Sequence, residues 1–360
     1  MPGIYISYPF CTQKCTFCNF ASNVSTAETK RLYSARLLAE IRQHQWKWRP
    51  ETLYIGGGTP SLMPAGQLSD IMAAIPASEL NEITLECAPG TITPDAAAAW
   101  HTMGINRVSL GVQSFVTPEL RHTGRRHTAE TVAADIKLLR SAGVHNFNID
   151  LIAGLPGQTE ASWAESLAWI EKLQPPHVSV YIFEVDEDSR LGKEALLGGV
   201  RYGAALLPSD DATAMLYETA VERLATLGIA RYEISNFAVP GFESQHNLKY
   251  WRLEPYIGFG LDAHSYDGAQ RWSNSDNMDA YLAPSPAPKP TATDPAEEHM
   301  FVGLRLSTGI EPTAAERMRF AEPIAHWVSA GLLQDSGGKL KLTDRGVLLS
   351  NEVLQDFVSV

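Results

Sequence analysis

Ile4-Tyr5-Ile6-Ser7-Tyr8-Pro9-Phe10-Cys11-Thr12-Gln13-Lys14-Cys15-Thr16-Phe17-Cys18 is a short β-favouring run that empties into three cysteines. The chain has only four cysteines, and Cys11, Cys15 and Cys18 cannot frame disulfides for 360 residues. Clustered thiols in a chain without an export signal point to a reducing cytoplasm and to a metal. Thiolates favour soft metals, zinc or iron–sulfur. A structural zinc closes four ligands. Three cysteines with no fourth Cys or His nearby leave one corner open, which fits a [4Fe-4S] cluster with one iron free for a ligand. The fourth cysteine, Cys87, reads as a small buried hydrophobe.

Outward from this stretch a rhythm appears. Ile4–Phe10, Thr52–Ile55, Ile83–Leu85, Arg107–Val112, Phe147–Ile152 and Val178–Phe183 are apolar, β-favouring runs. Between them lie residues at helical spacing: Leu32, Leu37, Leu38 and Ile41; Leu68, Ile71 and Ile75; Leu138 and Leu139 ahead of Gly143; Trp163, Leu167 and Ile170. Alternating strands and helices predict right-handed βαβ units and a parallel sheet. Periodicity alone leaves an open doubly wound sheet and an incomplete barrel both standing. The chemically loaded residues favour the barrel. Cys11 follows the first run, Gly56-Gly57-Gly58-Thr59-Pro60 the second, Glu86 the third and Gln113 the fourth, while Asp150 lies in the fifth. Functional residues at the C-terminal ends of parallel strands converge on one mouth.

Beyond about Val185 the rhythm breaks, apart from a long helix expected over Asp210–Leu227. Leu282–Pro295 carries prolines at 284, 286, 288, 290 and 295 and reads as an extended linker or exposed loop. The remainder, helices with a short hairpin at Gly337-Gly338, has a winged-helix-like outline. The expected organisation is a barrel unit over 1–185, an extension over 186–290 and a small unit over 291–360.

Composition excludes some classes of function. Lys+Arg number 29 against 41 Asp+Glu, a formal net charge of −12, so no broad attraction for phosphate backbones exists. No apolar run is long enough for a membrane span, and residues 1–10 lack the basic start and apolar stretch of a secretory signal.

Cys-x3-Cys-x2-Cys after a first strand resembles the signature of the radical S-adenosylmethionine (radical SAM) superfamily. The resemblance implies an incomplete (β/α)6 barrel, a [4Fe-4S] cluster on Cys11, Cys15 and Cys18, and SAM chelated to the open iron. It also implies reductive cleavage to a 5′-deoxyadenosyl radical. Gly57, Gly58 and Thr59 fall in the superfamily's glycine motif, which holds the SAM amino group. The stretch from Asn148 to Thr159 is similar to the coproporphyrinogen-oxidase-like branch. That resemblance implies SAM contacts at Tyr5, Glu86, Gln113, Arg125, Asp150 and Ile152. Arg125 would pair with the methionine carboxylate, a pairing suited to a bidentate guanidinium, and Ile152 would pack on adenine.

Arg231–Ala238 and His246-Asn247-Leu248-Lys249-Tyr250-Trp251 extend the resemblance through nearly the whole chain. The second stretch looks like the His-Asn-x-x-Tyr-Trp motif of the haem-chaperone branch, and it implies haem contacts at His246, Tyr250 and Trp251. Imidazole is a common axial ligand to haem iron, and aromatic faces stack on porphyrin. The true oxygen-independent coproporphyrinogen III oxidases carry a further cysteine where this chain has Phe20, and a long N-terminal arm where only Met1, Pro2 and Gly3 precede the first run. The chain also departs from its relatives at Ser7, usually His, and at Ala88, usually Asn. The leading expectation is a cytoplasmic haem chaperone that receives haem or porphyrin, delivers haem to apoproteins and takes electrons from a donor. The alternatives are a decarboxylase of coproporphyrinogen III and a methyl-transferring relative.

Overall fold

The computed structural model describes residues 2–76, 80–283 and 288–359. Six parallel strands form its centre: β1 (Gly3–Tyr8), β2 (Thr52–Gly57), β3 (Glu82–Cys87), β4 (Arg107–Gln113), β5 (Asn146–Ala153) and β6 (His177–Ile182), hydrogen-bonded in chain order. Helices connect them: α1 (Ala27–Gln43), α2 (Ala65–Ala74), α3 (Pro94–Thr102), α4 (Thr117–Thr123), α5 (Ala129–Ser141) and α6 (Glu160–Leu173). Their starts are written locally. Thr26, Thr93, Thr128 and Thr159 each accept a hydrogen bond from a first-turn backbone N–H, and Thr128 and Thr159 do so within reciprocal capping boxes.

Strand side chains alternate between faces, and here the alternation separates apolar from polar. Ile4, Ile6, Leu53, Ile55, Ile83, Leu85, Val108, Leu110, Ile149, Leu151, Val178 and Val180 all lie on one face and join the helices in a single buried core. The other face carries Tyr5, Tyr54, Glu86, Arg107, Ser109, Asn148, Asp150, His177 and Ser179. A doubly wound sheet has helices on both faces and needs both apolar. This sheet is apolar on one face, so it is the barrel-type arrangement, and it stays open.

The extension joins the same sheet. After α7 (Arg190–Leu196) and α8 (Asp210–Thr226), β7 (Ala230–Arg231) and β8 (Asn236–Ala238) add antiparallel strands beside β6. Helix α9 (Gln245–Trp251) then leads to β9 (Tyr256–Phe259), which pairs parallel with β1. Two further strands, β10 (His264–Tyr266) and β11 (Gln270–Ser273), continue antiparallel. The Pro-rich stretch is not a free linker throughout. Prolines 284 and 286 lie outside the described residues, but Thr291–Ala292 pairs with β11 as an edge strand, β12, directly after Pro290. An edge strand tolerates that proline because one of its sides has no ladder.

The C-terminal segment contains the helices Pro295–Gly303, Ala314–Arg319, Ala321–Ser329, Asp344–Leu348 and Ser350–Gln355. They pack around a hairpin of β13 (Leu333–Ser336) and β14 (Lys339–Leu342), which Ile310 meets through a bridge to Leu340. No helix of the described residues is long and apolar enough to cross a membrane.

Candidate functional site

The cysteine loop leaves β1 at its C-terminal end and is tied down from three sides. Cys11 N–H donates to Asn23 O at 3.0 Å, and Asn23 N–H returns a bond to Pro9 O at 2.9 Å. Thr16 donates through its N–H to Thr123 O (3.1 Å) and through its hydroxyl to His122 O (2.9 Å), and it accepts from Leu191 N–H at 2.8 Å. All three thiols remain partly exposed, and desolvation pushes the Cys11 thiol up. Cys18 Sγ lies 3.7 Å from Ser22 Oγ. Among the described residues no three Cys, His, Asp or Glu side chains are gathered as ligands of a single ion. A cubane takes one thiolate on each of three irons, so its ligands stand further apart than those of one ion. Three thiols on one loop fit that donor set and do not fit a structural zinc. Cys87 is fully buried behind the sheet.

Gly57 and Gly58 serve the loop directly. Gly57 takes φ +108°, and a Cβ on Gly58 would come within 2.8 Å of Phe10 N and Pro9 C. Their backbone approaches the cysteine loop closely enough for Gly58 N–H to reach Tyr8 O and Thr59 N–H to reach Phe10 O, both at 2.9 Å. The Thr59 hydroxyl bonds the Cys11 thiol.

Five of the expected SAM residues share the polar face. Tyr5 stacks on Tyr54 with centroids 6.1 Å apart. Glu86 accepts from Tyr54 Oη at 2.9 Å and from Gly57 N–H at 3.1 Å. Its burial, with Asp150 nearby, pushes its carboxyl up to about 7. Asp150 accepts from Asn148 Nδ2 at 2.6 Å, and burial raises it too. Gln113 ends β4 at φ 73°, where the pairing with β5 shifts register. Ile152 is buried at the end of β5. Arg125 follows α4; its Nη1 donates to Gly111 O at 2.7 Å, while its buried Nε has no partner among the described residues. An unpaired buried guanidinium N–H is a donor awaiting an acceptor, which fits the carboxylate of SAM.

Strict alternation also brings in residues that motif reading passes over. Arg107 is fully buried at the centre of the polar face, and its charge offsets part of the rise that burial imposes on Glu86 and Asp150. His177 bridges Asn148 Oδ1 (2.7 Å) and Tyr232 Oη (2.9 Å). A polar residue every second position within an apolar strand is the signal for all of them.

Helix α9 carries the His-Asn-x-x-Tyr-Trp stretch and closes the N-terminal side of the polar face. Its first N–H groups converge on one carboxylate: Glu82, on β3, accepts from Gln245 N–H at 3.0 Å and from His246 N–H at 2.9 Å. His246 is fully buried over Tyr54, and both ring nitrogens are engaged, Nδ1 with Thr52 Oγ1 (2.8 Å) and Nε2 with Tyr250 Oη (2.7 Å). Burial pushes this imidazole down to about 3. In this geometry neither nitrogen is open to a ligand. Tyr250 and Trp251, at the other end of the helix, do reach open space.

That space is a cavity of about 560 Å³ between β1, the cysteine loop, β9–β11 and the helix Pro295–Gly303. Tyr250, Trp251, Tyr256, Leu261, Phe301 and Val302 give it an apolar wall. Tyr5, Ser7, Gly57 and Ser22 place it beside the SAM-side residues and the cysteine loop. Among the described residues the buried Nε1 of Trp251 has no partner.

The model of the Radical SAM superfamily matches residues 5–170, and that of the HemN C-terminal domain matches residues 291–349. The chain is 33% identical to the haem chaperone HemW of Lactococcus lactis, over 98% of this chain and 96% of that protein. Against the haem chaperone HemW of Bacillus subtilis it is 32% identical over 99% of both chains. The chain belongs to the HemW family. Radical SAM proteins as a superfamily use a [4Fe-4S] cluster and SAM, and this HemW-family chain has a donor set of that kind on its first loop. Coproporphyrinogen III oxidase (HemN) from Escherichia coli shares its fold, with a TM-score of 0.81 at 22% identity over 99% of this chain and 90% of that one.

Proposed function

We propose that this chain binds haem and hands it to apoproteins, with a [4Fe-4S] cluster on Cys11, Cys15 and Cys18 and SAM held beside it. The observation that carries the reading is the aromatic cavity. It has the volume and the apolar lining of a small-molecule site, and the Tyr-Trp end of α9 opens into it next to the cysteine loop. The HemW relatives named as haem chaperones span the same length of chain, which supports the reading further.

The residues divide the work. Cys11, Cys15 and Cys18 hold the cluster. Gly57, Gly58 and Thr59 fix the loop and offer polar groups at its rim. Arg125 pairs with the SAM carboxylate, Glu86 and Asp150 accept from its polar groups, and Ile152 and Tyr5 give it apolar contact. The cluster and SAM supply one-electron chemistry at the sulfonium when bound. Tyr250 and Trp251 present flat faces to a porphyrin, while His246 acts through Tyr250 by holding its hydroxyl. Recipient apoproteins and an electron donor complete the proposal.

An anaerobic titration of cluster-loaded protein with haem, followed in the Soret band, tests it. Saturable binding with one haem per chain is expected. Cys15→Ala should lose the brown colour and the iron, because each thiolate holds a separate iron. No specific haem binding in protein of full iron content removes the chaperone reading, and unchanged iron in Cys15→Ala removes the cluster assignment.

A further inference from the structure

We propose that His264, rather than His246, is the imidazole that ligates the haem iron. The inference rests on the haem-binding reading above and deepens it. An axial ligand must present an unoccupied nitrogen to the porphyrin face. His246 has none, since Thr52 and Tyr250 take both of its nitrogens and the ring has no exposed surface. Freeing it requires breaking two buried hydrogen bonds and withdrawing a side chain that fills the space beside Gly3 and Tyr54.

His264 stands in the opposite condition. It lies on β10 and lines the cavity, with 67% of its side chain exposed. Neither ring nitrogen makes a hydrogen bond among the described residues; the nearest charged group is Asp262, whose Oδ1 is 3.8 Å from Nε2. The backbone holds the residue firmly. Its strand neighbour Ser265 is buried and accepts from Gly258 N–H at 3.0 Å, and His264 is paired with Ser273 across β10–β11. A fixed strand therefore carries a free imidazole to the edge of an aromatic cavity.

Three oxygen-bearing side chains of the cavity wall are committed elsewhere. Tyr250 Oη is spent on His246, Tyr256 Oη accepts from Arg271 at 2.8 Å, and Glu298 holds the Arg271 guanidinium through both carboxylate oxygens. The motif helix therefore supplies the aromatic floor, and the hairpin that follows it supplies the metal ligand.

The test compares ferric haem with metal-free protoporphyrin, each titrated anaerobically into wild-type, His264→Ala and His246→Ala protein. His264 is exposed, so its substitution leaves the fold intact. In His264→Ala the affinity for haem should fall at least tenfold and the Soret band should move, while protoporphyrin binding changes less than twofold. Added imidazole should return the Soret band to its wild-type position. A His264→Ala spectrum identical to wild type, or a histidine signature lost only in His246→Ala, overturns the assignment. Equal loss of haem and protoporphyrin in His264→Ala also overturns it, because the residue then shapes the cavity without binding iron. Wild-type protein that binds neither probe overturns the haem reading itself.

Discussion

Glu86 and His246 are both buried, and burial shifts them in opposite directions. Glu86 is raised from 4.5 to about 7 by desolvation first, so its folded value lies above its unfolded one. The stability it contributes is complete below about 4.5 and is lost as pH rises through about 7. His246 is lowered from 6.5 to about 3, so it contributes above 6.5 and loses that contribution as pH falls toward 3. Glu86→Gln keeps the size and one acceptor for Tyr54 or Gly57. The wild-type stability relative to this variant should therefore decline by about 2 kcal/mol between pH 5 and 8. Denaturant midpoints across that range measure it, and a constant difference contradicts the burial argument. At this scale the sequence is legible where the chemistry is unusual. Three cysteines at 11, 15 and 18 announce themselves, and so do Gly57 and Gly58. Arg107, Asn148 and His177 do so only through the alternation along their strands, because a single polar residue in a strand does not say which face it shares.

Helix α9 shows what a motif can hide. The His-Asn-x-x-Tyr-Trp spacing reads as a ligand set, yet i and i+4 positions lie on one helix face, so His246 and Tyr250 bond each other. The helix is too short to be stable alone. Its hold is the Glu82 carboxylate, which gathers the first N–H groups where the helix dipole is positive. Glu82→Ala should cost about 2–3 kcal/mol, the loss of charge-assisted hydrogen bonds with their buried donors left unpaired. Amide exchange over Gln245–Trp251 should accelerate well beyond that of β2 and β3; unchanged protection there refutes the anchoring role. The six βα units are legible because each strand alternates fully and each helix shows its spacing. Strands β7 to β12 have two to four residues each. That is too few for a period, and their pairing is set by distant partners, as β9 is by β1.

At the scale of the molecule the cavity is a product of closure between chain ends. Its floor comes from β1 and α9, and its far wall from the helix Pro295–Gly303, beyond the Pro-rich stretch. One link fastens that wall: Arg271 on β11 donates from Nε and Nη2 to Glu298 at 2.7 and 2.6 Å, and its guanidinium lies 4.6 Å over the Tyr266 ring. The planar fork matches a carboxylate geometrically. Phe301 and Val302 follow on the same helix and line the cavity, so the ion pair sets where the apolar wall stands. Glu298→Ala frees that wall while leaving Tyr250, Trp251 and the cysteine loop untouched. Global stability should fall by only about 1–2 kcal/mol, because the Arg271 side chain is a third exposed and regains water. Haem release should quicken about tenfold, read by transfer to an excess of apomyoglobin, with iron content and SAM affinity unchanged. If release keeps its wild-type rate, the helix Pro295–Gly303 is not the gate of the cavity, and cargo leaves on the side of the cysteine loop instead.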